Sequence, residues 1–172
     1  MIVFPTKYKC LDKQIFEWND YKLIPIRYSD RFKIMNWRNE QIYHLRQKAI
    51  LNQDEQTLYF KNELATLFKK RFPNQILFSF LENDNLIGYG GFVHIDWKLK
   101  TAEISFLMDT KLEKKYFLDL WNIFLIMIEN IGFKHINFNK IYTKSFDVRP
   151  KLYDVLKKRN FIFYDQDINL KD

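Results

Sequence analysis

The chain has 172 residues, one domain's worth, and 47% of them are hydrophobic, with 17 Phe and 10 Tyr. That composition supplies a packed core and excludes a disordered chain. The single cysteine, Cys10, excludes an internal disulfide and reads as a small buried apolar residue, and a formal net charge of +7 favours polyanionic ligands such as nucleotides, coenzyme A or an acidic carrier protein. Residues 1–5 are apolar but too short for a secretory signal. The longest apolar run, residues 123–128, is one helix face and falls short of a membrane span. A cytoplasmic protein with no membrane partner is expected.

Residues 8–11 and 14–18 are short β-like pieces with turn signals at Asp12-Lys13 and Asn19-Asp20, so residues 1–20 read as an N-terminal extension leading into a sheet. Residues 21–27 form a strand in which Pro25 marks an edge or a bulge. Ser29 and Asp30 suit the N-cap of a helix running to about Asn39. A second helix is predicted over 54–71 from Leu58, Leu64, Leu67 and Phe68, stopped by Phe72-Pro73-Asn74. Strands over 75–81 and 86–95 form a hairpin around Glu82-Asn83-Asp84-Asn85, and 101–109 continues the meander. The run Gly88-Tyr89-Gly90-Gly91 lies inside that hairpin and not before a helix, which points to close backbone packing or a bulge, not a phosphate loop.

A long helix over 113–131 carries a wide apolar stripe of Phe117, Leu120, Trp121, Phe124, Leu125 and Ile128, with Gly132 placed to end it. A strand over 136–143, a helix opened by Pro150 and running to 158, and a last short strand over 161–164 complete the chain before a polar tail. Lys69-Lys70-Arg71 and Lys157-Lys158-Arg159 close their helices, where cations suit the dipole. The basic turn with Lys111, Lys114 and Lys115 instead opens one, a place where backbone N–H groups favour an anion. The order implies a single α+β domain with a central, mixed, mostly antiparallel sheet and helices on both faces.

Several words in this order resemble the GNAT superfamily of acyl-CoA-dependent N-acyltransferases, over roughly residues 21–164. Leu86-Ile87-Gly88-Tyr89-Gly90-Gly91 resembles the family's IGxxG strand. Ala102-Glu103-Ile104-Ser105-Phe106-Leu107-Met108-Asp109 resembles the strand before the cofactor loop, and residues 153–161 resemble the closing helix. Leu23-Ile24-Pro25-Ile26-Arg27, followed by a short helix with Asn36-Trp37-Arg38-Asn39, looks like the family's N-terminal part, and the word Trp37-Arg38-Asn39 is similar to one in its RimJ/RimL-like branch and in PseH-like nucleotide-amino-sugar acetyltransferases. One stretch departs from the pattern. The family's pyrophosphate loop has a cation or Gln and two small residues where this chain has Glu113, Tyr116 and Leu118. A phosphate approaches backbone closely only where no Cβ intervenes, so Tyr116 and Leu118 are expected to crowd it. Arg149 takes the family's Asn position, and Leu156 stands where many members have a Tyr.

The resemblance implies a GNAT fold that carries an acetyl or other acyl group from acetyl-CoA or another acyl-CoA to a primary amine of a small metabolite, with a nucleotide-linked amino sugar as one acceptor. It places the pantetheine arm between splayed strands around Glu103 and Asn139, paired with the backbone of Phe106, Leu107 and Met108, and the phosphates near Lys111, Lys114, Lys115 and Tyr116. Glu103 is the first candidate for general base, since a carboxylate buried in an apolar strand takes a proton near neutrality. The other reading is an outward residue alternating with inward Ala102, Ile104 and Phe106. His94 is the second candidate base, and Tyr153 is the candidate donor to the leaving thiolate. Trp37, Arg38 and Arg46 are candidates for the acceptor site, with helix anchoring as the equal alternative for Trp37 and Arg38. The histidines at 44, 94 and 135 show no ligand spacing, so no metal is expected. Two alternatives stay open: an acyl carrier protein as donor, and an inactive GNAT-fold binding protein. Nucleic acid is not the expected partner, and the chain reads as a monomer or homodimer.

Overall fold

A computed structural model describes residues 3–144 and 150–164. Six strands lie side by side in their chain order: β1 (Phe16–Trp18), β2 (Tyr21–Pro25), β3 (Ile76–Glu82), β4 (Asn85–Asp96), β5 (Thr101–Met108) and β6 (Lys140–Tyr142). The first five pair antiparallel. The tight β3–β4 turn places Asn83 at φ 46 and Asp84 at φ 64, the left-handed pair that matches the twist of a two-residue hairpin. β5 and β6 are parallel, because helix α4 (Thr110–Asn130) carries the chain back across the sheet. Pro25 is tolerated because β1 pairs no further than Leu23, so the proline faces a ladder on the β3 side only.

One face of the sheet is covered by α4. Phe106 of β5 stacks on Phe124 with ring centroids 4.0 Å apart and meets Trp121 edge-on. Gly90 sits beneath this contact: a Cβ there would lie 2.2 Å from Ser105 O and 2.9 Å from Phe124 Cζ. The segment Thr110–His135 is long and apolar enough in composition to cross a membrane. Its apolar side, however, is buried on the sheet through Leu120, Trp121, Phe124, Leu125 and Ile128.

The other face carries α1 (Arg31–Glu40) and a longer helix. That helix begins as α2 (Gln53–Tyr59), loosens into a π turn over Phe60–Leu64, and finishes as α3 (Ala65–Leu67). A capping box between Asn52 and Glu55 starts it. It stops at Leu67, short of the predicted 71. Asp30 does precede α1, but its buried carboxylate makes no cap bond. It accepts instead from Arg27 (2.7 and 2.9 Å) and from Ser79 Oγ (2.7 Å), tying β3 to the start of α1.

Three other expectations differ. The chain does not leave its helix at Gly132 but continues as a π turn over Ile131–His135, and Gly132 makes room for the ring of Phe92. The strand expected over 136–143 is only Lys140–Tyr142. Residues 161–164 form no strand; Ile162, Phe163 and Tyr164 are exposed after α5 (Pro150–Lys158). Arg149 and the tail 165–172 lie outside the described residues.

Candidate functional site

β5 and β6 share only three register pairs, from Thr101–Lys140 to Glu103–Tyr142. Among the described residues the pairing ends at Glu103, while β5 runs on to Met108. Successive peptide groups of a strand point to opposite edges. Asp109 N donates to Ile87 O at 2.8 Å, so Leu107 and Ser105 face β4, and the peptide groups of Ile104, Phe106 and Met108 turn to the open edge. Gln41, buried at the end of α1, donates from Nε2 to Met108 O at 2.8 Å. Thr143 Oγ1 stands 3.5 Å from Ile104 O. Among the described residues the barest main chain is therefore that of Ile104 to Phe106. A cleft of about 230 Å³ opens along it, with Arg38, Arg46, Glu103, Trp121 and Leu152 in its walls. Trp121 forms a wall and does not close the gap. Its buried Nε1 has no hydrogen-bond partner among the described residues.

Glu103 is 5% exposed, buried although it alternates with inward-facing Ala102 and Ile104, because the second face of the sheet is covered as well. Its Oε1 accepts from Arg46 Nη2 at 3.0 Å, and its Oε2 lies 2.6 Å from His94 Nδ1. A carboxylate only accepts, so this contact puts a ring proton on Nδ1, and in the neutral ring the lone pair then lies on Nε2. A register shift between Val93 and Asp96 delivers the histidine, with His94 itself at φ 48. A left-handed backbone is uncommon for such a residue and here re-aims its side chain. Burial and the nearby Glu103 both push the Tyr142 hydroxyl pKa up.

Arg38 stands in the same cleft. Its Nε donates to Gln47 Oε1 at 3.1 Å and its Nη1 to the Tyr89 hydroxyl at 2.8 Å. Gln47 is held in turn by Asn39 Oδ1. The Tyr89 oxygen keeps the Arg38 pKa above its ordinary value, outweighing the burial that lowers it.

Of the residues singled out in the sequence, Glu103, His94, Arg46, Arg38 and Phe106 come together. Trp37 does not: it is core, packed under α1. Asn139 is exposed at the far end of β6, where its N–H donates to Lys100 O at 2.8 Å and the two strands are joined, not splayed. Leu107 turns its peptide groups to β4, and the Met108 carbonyl is taken by Gln41. On α5 it is Leu152 that lines the cleft, while Tyr153 sits edge-on to Phe163.

Lys111, Lys114, Lys115 and Tyr116 are exposed at the start of α4. There the Asp109 carboxylate caps the helix, accepting from Lys111 N (2.8 Å) and Leu112 N (3.4 Å), so an acid already occupies the first turn. The helix kinks at Tyr116, at φ −123 and ψ 24. Any residue adopts that φ, which is why glycine is dispensable to the backbone path. Gln41, Gln47 and Tyr89 carry no sequence signal, since each is a lone polar group placed by tertiary contact.

A family profile described as an acetyltransferase (GNAT) domain matches residues 24–162. The chain belongs to the GNAT acetyltransferase family. No curated protein matches it in sequence. Solved structures share the fold at low identity. A spermidine N-acetyltransferase from Vibrio cholerae, in complex with CoA and spermine, superposes with a TM-score of 0.71 at 18% identity, over 86% of this chain and 83% of that one. A ribosomal-protein-S5-alanine acetyltransferase from Vibrio fischeri gives 0.67 at 18% identity, over 87% and 84%. A structure of the V. cholerae spermidine enzyme described as dodecameric gives 0.61 at 21% identity, over 86% and 82%. The GNAT acetyltransferase described here thus keeps the fold, while the first turn after β5 is capped by its own acid.

Proposed function

We propose that this GNAT acetyltransferase moves the acetyl group of acetyl-CoA to the primary amine of a nucleotide-linked amino sugar. The observation that carries the chemistry is the Glu103–His94 pair beside the exposed main chain of Ile104 to Phe106. The donor arm lies along that edge as an added strand. The neutral amine attacks the thioester carbon; the C–N bond forms, the C–S bond breaks, and the amine proton passes to His94 Nε2 while Glu103 holds the ring from behind. Coenzyme A leaves as a thiolate and collects a proton from solvent, its thiol being only weakly basic. The sugar-nucleotide acceptor is supported by the Trp37-Arg38-Asn39 word and by a cleft wall that, among the described residues, sets Arg38, Arg46 and Lys144 against one carboxylate, Glu103. A polyamine would meet repulsion there.

A second reading has an acyl carrier protein as donor. The Asp109 cap at the first turn of α4, with Tyr116 and Leu118 at the glycine positions, favours a donor without a nucleotide diphosphate, and the exposed Lys111, Lys114 and Lys115 suit an acidic partner. Calorimetric titration with acetyl-CoA, an acetyl-pantetheine and an acetylated carrier protein separates the two. Tight binding of acetyl-CoA supports the first. Binding of the carrier alone supports the second. Heat from none of the three removes both and leaves a binding protein.

A further inference from the structure

Among the described residues the wall of the cleft holds two arginines and a lysine, Arg38, Arg46 and Lys144, and the two arginines are not equivalent. Arg46 is neutralised by Glu103. Arg38 is half-buried, and both of its hydrogen-bond partners, Gln47 and Tyr89, are uncharged. Among the described residues no carboxylate lies within ion-pair distance of it. A guanidinium withdrawn from water without a counter-charge is costly and is normally paired. The neutral partners do something else for it: they hold the fork still. Among the described residues two of its five N–H donors are used, and the others stay available in a fixed plane. A planar donor set with its orientation already determined matches the oxygens of a phosphate.

We infer that Arg38 is the anchor for a phosphate group of the acceptor, so that the substrate class is a phosphate-bearing amine. This rests on the acetyl-transfer reading above and adds which residue holds the acceptor's phosphate and that the phosphate, not the rest of the nucleotide, is what is recognised. The phosphate supplies the counter-charge that Arg38 lacks, and the amine of the same molecule is presented toward the Glu103–His94 pair. Tyr89 and Gln47 are positioning residues, since they act through Arg38.

The test begins with coenzyme A, titrated into the protein by calorimetry. Acceptor analogues are then titrated into the coenzyme A-saturated protein, so that the donor's own phosphates cannot take the site. Glucosamine, glucosamine 6-phosphate, UDP-glucosamine, an amino uronic acid and spermidine are compared. The phosphate-bearing compounds should bind at least about tenfold tighter than glucosamine, as expected for hydrogen bonds to a charged group. Arg38→Gln should remove that advantage, weakening the phosphate-bearing compounds far more than glucosamine, and Arg38→Lys should restore part of it. In steady-state assays the same variant should raise KM for the phosphorylated sugar more than it lowers kcat. Equal affinity for glucosamine and its phosphate, an advantage that survives Arg38→Gln, an amino uronic acid that binds as tightly as the phosphate, or spermidine as the tightest ligand would each overturn the assignment. If coenzyme A itself fails to bind, the acetyl-CoA reading falls, and the same series run on the free protein still decides the anchor.

Discussion

Glu103 has both oxygens engaged, one on Arg46 and one on His94, and this makes its amide variant informative. In Glu103→Gln the amide oxygen still accepts from Arg46, while the amide NH2 cannot accept from His94 Nδ1 and so favours the other ring tautomer. Steady-state turnover should fall by at least about tenfold, within the usual scale of general-base losses, with a thermal midpoint near that of the parent. An unchanged rate would remove the pair from the mechanism. Trp121 and Trp97 offer a second comparison. Trp97 Nε1 donates to Pro73 O at 2.6 Å, whereas Trp121 Nε1 has no partner among the described residues. Trp97→Phe therefore loses a bond and strands an acceptor. Trp121→Phe loses ring volume but also removes an unsatisfied donor, whose burial costs about 1–3 kcal/mol. Urea denaturation should find Trp121→Phe the milder of the two; the reverse order would mean that the indole N–H is already satisfied.

The contact between α4 and the sheet depends on the absence of one side chain. At Gly90 the nearest obstacle to a Cβ is the Ser105 carbonyl, a backbone atom on the neighbouring strand that cannot swing aside. Gly90→Ala must push β4 from β5 or lift Phe124 from Phe106. Overpacking of this kind costs about 1–3 kcal/mol, or more where backbone has to move. A lower urea midpoint is expected, together with weaker donor binding, because the displaced β5 is the strand whose open edge borders the cleft. A parent-like midpoint would show that the pairing is looser than its register implies. The irregular stretch of β4 near His94 works the opposite way: the register shift there delivers a side chain instead of tightening a layer.

Across the whole molecule, burial of weakly acidic groups sets the response to alkali. Burial pushes the Tyr8 hydroxyl far above its ordinary range, the Cys10 thiol from 9.0 up to about 11, and, with Glu82 adding to the effect, the Tyr21 hydroxyl from 10.0 up to about 12. Each folded pKa is raised, so the unfolded chain loses these protons first. The stabilisation is complete below about pH 9 and is lost as pH rises toward 12. Urea midpoints measured from pH 7 to 11 should decline above pH 9, and a flat profile would contradict the burial of these groups. Tyr8→Phe should reduce the slope but also lower the midpoint at neutral pH, because Tyr8 Oη accepts from Leu77 N at 3.0 Å and donates to Leu77 O at 2.8 Å.

The α+β plan, the β3–β4 hairpin, the apolar stripe of α4 and the family words around Gly88 and Glu103 were legible in the sequence, because each is a pattern among near neighbours: period two in strands, helical spacing, and turn residues that accept a left-handed backbone. The roles of particular side chains were less so. Trp37 belongs to a word shared with acyltransferases, yet it is core. Asn139 lies at the joined end of two strands whose other end parts. Tyr153 is one residue from Leu152, which does reach the cleft. Glu103 could be named from its apolar surroundings, but its partners could not: Arg46 is 57 residues away in the chain, and His94 arrives through an irregular strand. Arg38 meets Tyr89 across 51 residues. Local patterning determined which segments are strands and helices and which of their faces are apolar. The length of the β5–β6 pairing, the second layer over Glu103 and the neutral setting of Arg38 were decided only in the tertiary structure, because each depends on where distant segments come to rest against one another.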